Sequence, residues 1–446
     1  MYVIYSLVYT LGFLAMLPVF LVRRGKYLSG LRERFGRIDG FRKDARPVVW
    51  VHCVSVGETN AARPLVKKLK EHHPSHRIVV STVTKTGQDL AREVFADTAD
   101  LVFYLPFDWK FTVLKALRAI RPNVVLVLET EIWFNLFREI HRRGIVLAIV
   151  NGRLSEKSAE NYRRIPKTIG RVLRNVDLVL AQSHENGERF RSLGARKKKI
   201  KVTGNIKNDQ EAVGGDATKV AYLRERFSID NIVPVIVAAS THQPEEKMLI
   251  EGLRLLKARK GFKKARLMIA PRHPERFEDV AELIGGSGLS WARRSANLCV
   301  DDGDAEVILL DSIGELRSAY PLANLVFVGG SLIPHGGQNF LEPAIEGKAI
   351  VTGPYLHNFA SSARKFAKAN AFVRLDEAAA TDWPRILDET FFTLLSDGER
   401  REELGRNAFA VAEANRGATD RTLEILDPFL RIHSQAVNGA EAVSAG

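Results

Sequence analysis

A carboxylate follows the first strongly apolar stretch of the sequence, at Glu58. Residues 47–56 have the pattern of a buried strand, and a basic amphipathic helix is predicted from Ala61, so Glu58 falls at the turn between them. A helix N-terminus favours the ionised form of a nearby carboxylate, which can then act as a general base on an alcohol. From the spacing alone, a helix-capping role or an ion pair with Arg63 is an equally good interpretation.

Two more carboxylates, Glu129 and Glu131, end a second apolar stretch at 123–128. Period-2 alternation would place both side chains on one face if the strand continued. Like charges this close are costly unless cations or substrate groups pair with them, so the pattern favours a site. Ordinary ion pairing with Arg138 or Arg142 is the alternative.

Cationic side chains occupy two later positions where they could bind an anion. Lys207 lies between the two halves of the chain and could reach a substrate anion, although a solvated lysine is the default for any single lysine. Arg272 and His273 follow the apolar stretch 267–270, and an arginine at a strand end suits a phosphate. A loop with ordinary surface charges is the alternative for this pair.

A glycine-rich stretch at 327–344 also points to phosphate binding. Four glycines precede a predicted helix start near Asn339 and are expected to leave backbone amides accessible: Gly329, Gly330, Gly336 and Gly337. Amides and a helix dipole together bind phosphate. Glu342, one turn into that helix, could accept hydrogen bonds from a ribose diol.

Alternating apolar strands and amphipathic helices must position these groups. Such alternation predicts right-handed βαβ units and parallel sheets, with ligands at the carboxyl ends of the strands. We therefore expect an α/β fold in which two Rossmann-like domains face a cleft. The expected boundaries are an anchor at 1–24, an N-terminal domain at 25–205, a linker at 206–217, a C-terminal domain at 218–430 and a flexible tail at 431–446.

The N-terminus predicts a hydrophobic anchor helix. Residues 2–22 carry no charge and are about long enough to span a bilayer, and nine Lys/Arg follow between 23 and 46. The positive-inside rule then places the rest of the chain in the cytoplasm. The alternative is a buried core helix.

Composition limits the partners. The 446-residue chain has 66 Lys/Arg against 52 Asp/Glu, a net charge of +14, which implies an anionic partner. Its two cysteines exclude a disulfide framework or a cysteine-based zinc site. Motifs typical of P-loop NTPases, dinucleotide-binding enzymes and zincins are absent from the sequence.

Several stretches together resemble the 3-deoxy-D-manno-octulosonic acid (Kdo) transferases of lipopolysaccharide synthesis, which are inverting glycosyltransferases of the GT-B fold. The similarity runs from the apolar N-terminus to about residue 430. It is carried by WVHCVSVGET, ETEIWFN, NGRLSEKS, TGNIKND, ASTHQPEE, APRHPERF, FVGGSLIPHGGQNFLEPA and TGPYLHNF. Phe134 departs from the family pattern, in which we expect proline.

The resemblance implies transfer of Kdo from CMP-Kdo to the lipid A precursor (lipid IVA), at the cytoplasmic face of the bacterial inner membrane. Glu58 matches the catalytic base, and Glu129 and Lys207 match positions that stabilise the transition state. His273, Gly336 and Gly337 would support the site. The nucleotide contacts would be Pro271, Arg272, Ile313, Gly314, Glu315, Asn339, Phe340, Leu341 and Glu342.

The same resemblance implies no metal and no cofactor beyond the donor substrate. The partners would be CMP-Kdo, the glycolipid and an anionic membrane surface, with no nucleic acid. The alternatives are another GT-B enzyme, such as lipid A disaccharide synthase or a nucleotide-sugar 2-epimerase, or a non-catalytic basic membrane-binding protein.

Overall fold

The computed structural model describes residues 1–22, 29–41, 44–211, 215–230 and 232–444. The chain divides into two compact units: Met1–Gln210 together with the segment from Arg416 onward, and Glu211–Asn415. Some residues of our predictions lie outside the described residues. These are the basic residues at 23–28 and 42–43, linker residues 212–214 and the last two residues of the tail.

The first unit contains a parallel sheet whose central strands are buried on both faces. All residues of the strands that follow Pro47, His76 and Asn123 are buried, which is why they form near-continuous β-branched runs. The strands are β1 (Val48–His52), β2 (Arg77–Thr82), β3 (Leu101–Tyr104), β4 (Val124–Leu128), β5 (Val146–Gly152), β6 (Leu178–Ala181) and β7 (Ile200–Val202). Their order in the sheet is β3-β2-β1-β4-β5-β6-β7.

Helices connect these strands and cover both faces of the sheet. Trp50 and Val125 point into one core layer and Val49 and Leu126 into the other, as the pleat requires. The helices are α1 (Tyr2–Val22), α2 (Leu31–Arg34), α3 (Val56–His72), α4 (Lys85–Val94), α5 (Lys110–Ile120), α6 (Phe134–His141), α7 (Glu156–Arg163), α8 (Pro166–Leu173), α9 (His184–Ser192) and α10 (Lys207–Glu211).

The second unit repeats this architecture. Its strands are β8 (Val235–Thr241), β9 (Arg266–Pro271), β10 (Trp291–Arg293), β11 (Val307–Leu309), β12 (Leu325–Val328), β13 (Ala349–Thr352) and β14 (Val373–Arg374), and their order is β10-β11-β9-β8-β12-β13-β14. The helices are α11 (Ala217–Arg226), α12 (Glu245–Ala258), α13 (Phe277–Gly285), α14 (Leu316–Ala319), α15 (Leu341–Ile345), α16 (Ala360–Lys368), α17 (Trp383–Ser396) and α18 (Gly398–Ala414).

The first sheet has a switch point between β1 and β4, where the chain crosses from one half of the sheet to the other, and the second sheet has the corresponding switch point between β8 and β12. Ligands of doubly wound sheets bind outside the carboxyl ends of the strands at such a switch point. The prediction of two α/β Rossmann-like halves with an apolar N-terminal helix is confirmed. Within the described residues, α1 is the helix long and apolar enough to cross a membrane.

The final helix, α19 (Ala418–Ser444), belongs to the first unit, so the expected end of the second domain at residue 430 needs correction. Leu423, Leu426 and Leu430 bury their side chains in the core layer that contains β1 and α3. The Asp209 carboxylate also accepts hydrogen bonds from the backbone amides of Ala418 and Thr419, at 3.3 and 2.6 Å. The helix continues through Ser444, into the segment that we expected to be a flexible tail, and the helix α10 lies within the expected linker.

Candidate functional site

Two of the predicted carboxylates flank the switch point of the first sheet. Glu58 lies in the first turn of α3, which follows β1, and Glu129 comes directly after β4. Because β1 and β4 are hydrogen-bonded neighbours in parallel, their carboxyl ends meet at one edge of the sheet. The fold therefore brings together residues that are 71 positions apart in the sequence.

The Glu58 carboxylate is buried and accepts one hydrogen bond from the described residues. The side chain belongs to a residue that is only 9% exposed, and its Oε2 accepts a hydrogen bond of 2.7 Å from the Val54 backbone amide. Burial raises the pKa of Glu58 to about 7; the Val54 amide opposes this shift, the charges of Glu129 and Glu131 add to it, and Lys207 opposes it. A carboxyl group with a pKa near neutrality is well matched to general base catalysis.

Glu129 is paired with Lys207, at 2.8 Å between Oε1 and Nζ. The backbone of Glu129 has φ 57°, a left-handed conformation that is rare for a residue with a side chain and is concentrated at functional sites. The strand ends at Leu128, so the period-2 alternation that would have placed Glu129 and Glu131 on one face does not extend to them. The partner of Glu129 is this lysine rather than Arg138 or Arg142.

Lys207 is held in place by two sequence motifs that meet at the end of β5. The side-chain oxygen of Asn151, which also has a left-handed backbone with φ 56°, accepts a hydrogen bond of 3.1 Å from the Ile206 amide. The side-chain oxygen of Asn205 accepts one of the same length from the Lys207 amide. NGRLS and TGNIK thus fix the start of α10, and with it the lysine.

Glu131 completes a cluster of three carboxylates and one lysine. Burial raises the pKa of Glu131, and the charge of Glu129 raises it further. The same carboxylates affect the nearby thiol of Cys53: burial raises its pKa, and the charges of Glu58 and Glu129 raise it further. Such a cluster carries excess negative charge unless a proton or a ligand compensates it.

The predicted nucleotide-binding residues lie at the ends of strands of the second sheet or in the segments that follow them. Pro271 is the last residue of β9, and Arg272 follows it with an exposed side chain. Residues 313–315 come after β11, and residues 339–342 lead into α15. Their shared edge of the sheet is where the fold would place a ligand.

The side chains of these predicted nucleotide-binding residues differ in whether they are free to contact a ligand. Phe340 is 1% exposed, with its ring 4.9 Å from that of Phe366 in the core, and Leu341 is also buried. Only their backbones can face a ligand. Glu315 and Glu342 are already paired with Arg294 and Arg317, at 2.9 and 3.1 Å, whereas Ile313 is 82% exposed.

The glycine-rich stretch is built differently from our expectation. The Gly329 amide donates to the Ala239 carbonyl and the Gly337 amide to the Gly330 carbonyl, both at 2.8 Å. The Gly330 amide donates to the Glu245 carboxylate at 2.7 Å. Three of the four expected amides are therefore used within the protein, and the helix that follows starts at Leu341 with only five residues.

The chain is similar to known proteins over most of its length. Residues 29–210 match the family model described as 3-deoxy-D-manno-octulosonic-acid transferase (kdotransferase). The 3-deoxy-D-manno-octulosonic acid transferase of Haemophilus influenzae is 34% identical over 409 residues, which cover 92% of this chain and 93% of that protein. The chain belongs to this transferase family. The transferase of the same name from Bordetella pertussis is 33% identical over 95% of this chain and 99% of that protein.

The fold agrees with membership of this glycosyltransferase family. A solved glycosyltransferase from Rickettsia africae superposes with a TM-score of 0.55 and covers 86% of this chain and 99% of that one. At 13% identity this likeness shows the GT-B fold alone. The residues matched by the family model include Glu58, Glu129 and Lys207.

Sequence reasoning missed Glu245, which organises the second unit of the transferase. Its buried carboxylate accepts hydrogen bonds of 2.7–3.0 Å from the backbone amides of His242, Gly330, Ser331 and Leu332. It thereby ties the end of β8 to the loop after β12, across the switch point. The available signal was an acidic residue one turn after an apolar strand, the same position that drew attention to Glu58.

A cluster of three histidines in this unit was missed as well. The His242 ring lies 4.2 Å from that of His335 and 5.4 Å from that of His273. Burial lowers the pKa of His242 to about 4, and the neighbouring histidines add to this shift. Its Nδ1 lies 3.1 Å from the Ser240 carbonyl, and its buried Nε2 has no hydrogen-bond partner among the described residues. The neutral ring therefore leaves one buried polar atom, Nε2, without a hydrogen bond from the described residues at the end of β8.

Replacement of Glu245 by alanine is expected to destabilise the transferase by about 2–4 kcal/mol, because four amides lose their shared acceptor in a buried place. The measurement is urea unfolding of the full-length protein. Glu251→Ala, on the solvent-facing part of the same helix, is the matched control and should change stability by less than about 0.5 kcal/mol. Equal effects of the two substitutions would show that Glu245 does not hold the loop.

Proposed function

We propose that this transferase moves Kdo from CMP-Kdo to the lipid A precursor lipid IVA, with inversion at the anomeric carbon, at the cytoplasmic face of the bacterial inner membrane. The sugar is the one in the family's description, while the donor nucleotide and the acceptor follow from the motif resemblance. The observation that carries the proposal is the buried Glu58 carboxylate at the switch point of the first sheet, beside the Glu129–Lys207 pair.

In the proposed reaction Glu58 accepts the proton of an acceptor hydroxyl, the 6′-OH of the distal glucosamine. The acceptor oxygen forms a bond to the anomeric carbon of Kdo, while the bond from that carbon to the phosphate oxygen breaks. CMP departs with the bonding electrons. Because the hydroxyl attacks the face opposite the leaving group, the configuration at the anomeric carbon inverts.

The ion pair supports this step electrostatically. Lys207 lowers the pKa of Glu58, whereas Glu129 raises it, so the balance between them sets how strongly the base holds a proton. A fixed lysine and carboxylate can also stabilise charge that develops in an oxocarbenium-like transition state without reorganising at the moment of reaction.

The second unit would hold the nucleotide. Arg272 has an exposed side chain suited to the phosphate, and Asn339 and the residues beside it contribute backbone groups. The Glu342 Oε2 atom accepts a hydrogen bond of 3.4 Å from the Tyr320 hydroxyl and, within the described ranges, has no second hydrogen-bond donor, so it can also accept one from a ribose hydroxyl.

We expect Glu58→Gln to lower the rate of Kdo transfer by roughly 100- to 10,000-fold, because the amide cannot accept the proton. The assay follows Kdo transfer from CMP-Kdo to lipid IVA by mass spectrometry. Glu71→Gln, an exposed position on the same helix, is the control and should leave the rate unchanged. Transfer at the wild-type rate in Glu58→Gln would contradict the assignment of the base.

The pH dependence of kcat/KM tests the role of Glu58 without relying on an inactive variant. Glu58 acts only when deprotonated and its pKa is about 7, so kcat/KM should fall as pH decreases below 7 and level off above it. Lys207→Met removes a charge that lowers this pKa, so the acid limb should move to higher pH. Lys207→Arg keeps the charge and should leave the limb in place. A limb that is unchanged in Lys207→Met would exclude the coupling.

The proposed reaction includes no metal ion, because the donor carries a single phosphate whose charge protein cations can balance. Transfer should therefore proceed at the same rate after dialysis against a chelator. A rate that falls on chelation and returns with one divalent cation would overturn this part of the proposal while leaving Glu58 as the base.

The identity of the substrates is tested by replacing one at a time. CMP-Kdo with lipid IVA should give a product heavier by one or more Kdo residues and release CMP. UDP-linked sugars with the same acceptor should give no product. If the enzyme instead interconverts a nucleotide sugar without an acceptor, the proposed reaction is wrong.

A further inference from the structure

The helix α1 lies along the surface of the first unit, and its burial repeats with the period of a helix. One stripe is partly buried, and the residues between are exposed. The partly buried stripe consists of Tyr2, Tyr5, Ser6, Tyr9, Thr10, Phe13, Leu17 and Phe20. The exposed face consists of Val3, Ile4, Leu7, Val8, Leu11, Gly12, Leu14, Ala15, Met16, Pro18, Val19 and Val22.

The polarity of these two faces is the reverse of that of a helix at a protein–water surface. Every hydroxyl group of the helix points toward the protein, while the outward face is entirely apolar. Leu7 and Leu11 on that face are 60% and 58% exposed. A helix that faces water places its polar residues outward, and a continuous exposed apolar face marks a binding surface.

Specific polar contacts hold the inner stripe on the protein. The Tyr5 hydroxyl donates to the Asp108 carboxylate at 2.8 Å, and the Trp109 indole N–H donates to the Thr10 hydroxyl at 2.8 Å. The Phe134 ring stacks on that of Tyr5, with centroids 4.6 Å apart. Asp108 is itself fixed by the amides at the start of α6, so the helix is attached to the folded unit rather than to a loose loop.

The extent of this attachment decides the orientation of the helix relative to a bilayer. The Asn175 side-chain amide donates to the Tyr2 hydroxyl at 3.3 Å, and the Phe13 ring lies 5.0 Å from that of Trp109, so the attached part of the helix reaches at least from Tyr2 to Phe13. This part of the helix is about 18 Å long at ~1.5 Å per residue, so at most about 13 Å of helix beyond Phe13 could enter a bilayer core. A bilayer core is about 30 Å thick, so α1 cannot span it while the unit stays in water.

The surroundings of the helix also suit a lipid surface. Phe35 and Phe111 are 40% and 51% exposed, and both rings stack on that of Trp109 beside the helix. Cations lie next to the apolar groups: Lys115 Nζ is 5.7 Å from the Phe111 ring centre, and the Arg138 guanidinium is 4.5 Å from that of Tyr2. Apolar area combined with positive charge is what stable binding to an anionic membrane requires.

We propose that α1 lies in the plane of the membrane, with its apolar outer face in one leaflet and its inner stripe bound to the first unit, and does not cross the bilayer. The inference rests on the membrane location given under the proposed function and adds the orientation. The occupant of the outer face is lipid. A second copy of the chain is the competing occupant, and the test below separates the two.

The test is a depth measurement on the full-length protein bound to vesicles of phosphatidylethanolamine and phosphatidylglycerol. A fluorophore is attached to cysteine at Ile4, Leu11 or Val19 in a Cys299→Ser background, since the remaining Cys53 is buried. Quenching by lipids that carry bromine at different acyl positions reports the depth of each probe. We expect all three probes at the same shallow depth. A deepest position at Leu11, with shallow ends, would show a spanning helix and overturn the proposal.

Two variants separate lipid binding from the other outcomes. Leu7→Asp/Leu11→Asp should weaken vesicle binding roughly tenfold or more, whereas Leu7→Ile/Leu11→Ile should not change it. Both positions are exposed, so neither variant should unfold the protein. Absence of vesicle binding by the wild-type chain would reject the membrane location as well. Probes shielded without vesicles, together with a dimer by light scattering, would assign the face to a second copy.

Discussion

The Glu58 carboxylate is kept from water at the edge of a parallel sheet with two more carboxylates nearby, and this arrangement sets the chemistry of the first unit. Burial destabilises the charged form of Glu58, and the negative charges of Glu129 and Glu131 destabilise it further. The positive charge of Lys207 offsets this increase in the pKa of Glu58 only in part, because Lys207 is bound directly to Glu129. The result is a group that gains or loses a proton near neutral pH, which an exposed glutamate would not do.

The two units use the same position for opposite purposes. Glu58 and Glu245 each lie in the first turn of the helix that follows the first strand of the sheet. Glu245 accepts four backbone amides and so holds the loop after β12, whereas Glu58 accepts one amide, from Val54. The number of donors distinguishes a carboxylate that builds the fold from one that remains able to accept a proton.

Hydrogen bonds to the first unit also explain how the N-terminal helix can carry hydroxyl groups beside a lipid-facing surface. Tyr5 and Thr10 have hydroxyl groups that would be costly in lipid, and both find partners on the first unit. Phe134, which departs from the family pattern in sequence, provides a ring for Tyr5 to stack on. The helix can therefore present a purely apolar face outward without leaving a polar group unpaired there.

The sequence by itself determined the class of fold and the positions of the carboxylates along it. Strands such as Val48–His52 and Val124–Leu128 are buried on both faces, so each must be a continuous apolar run that can be recognised without a structure. The short strands Ile200–Val202, Trp291–Arg293 and Val373–Arg374 were not predicted. They lie at sheet edges, where few residues are buried and the pattern is weak.

Only the tertiary structure decided which groups meet. Glu129 and Lys207 are separated by 78 positions, and their pairing depends on the order of strands and on a left-handed backbone at Glu129 that no local pattern predicts. Three of the four glycine amides that we expected to bind phosphate instead donate hydrogen bonds to Glu245 and to nearby carbonyls. Hydrophobic periodicity records which residues are buried, but hydrogen bonds between distant segments depend on where the chain returns in space.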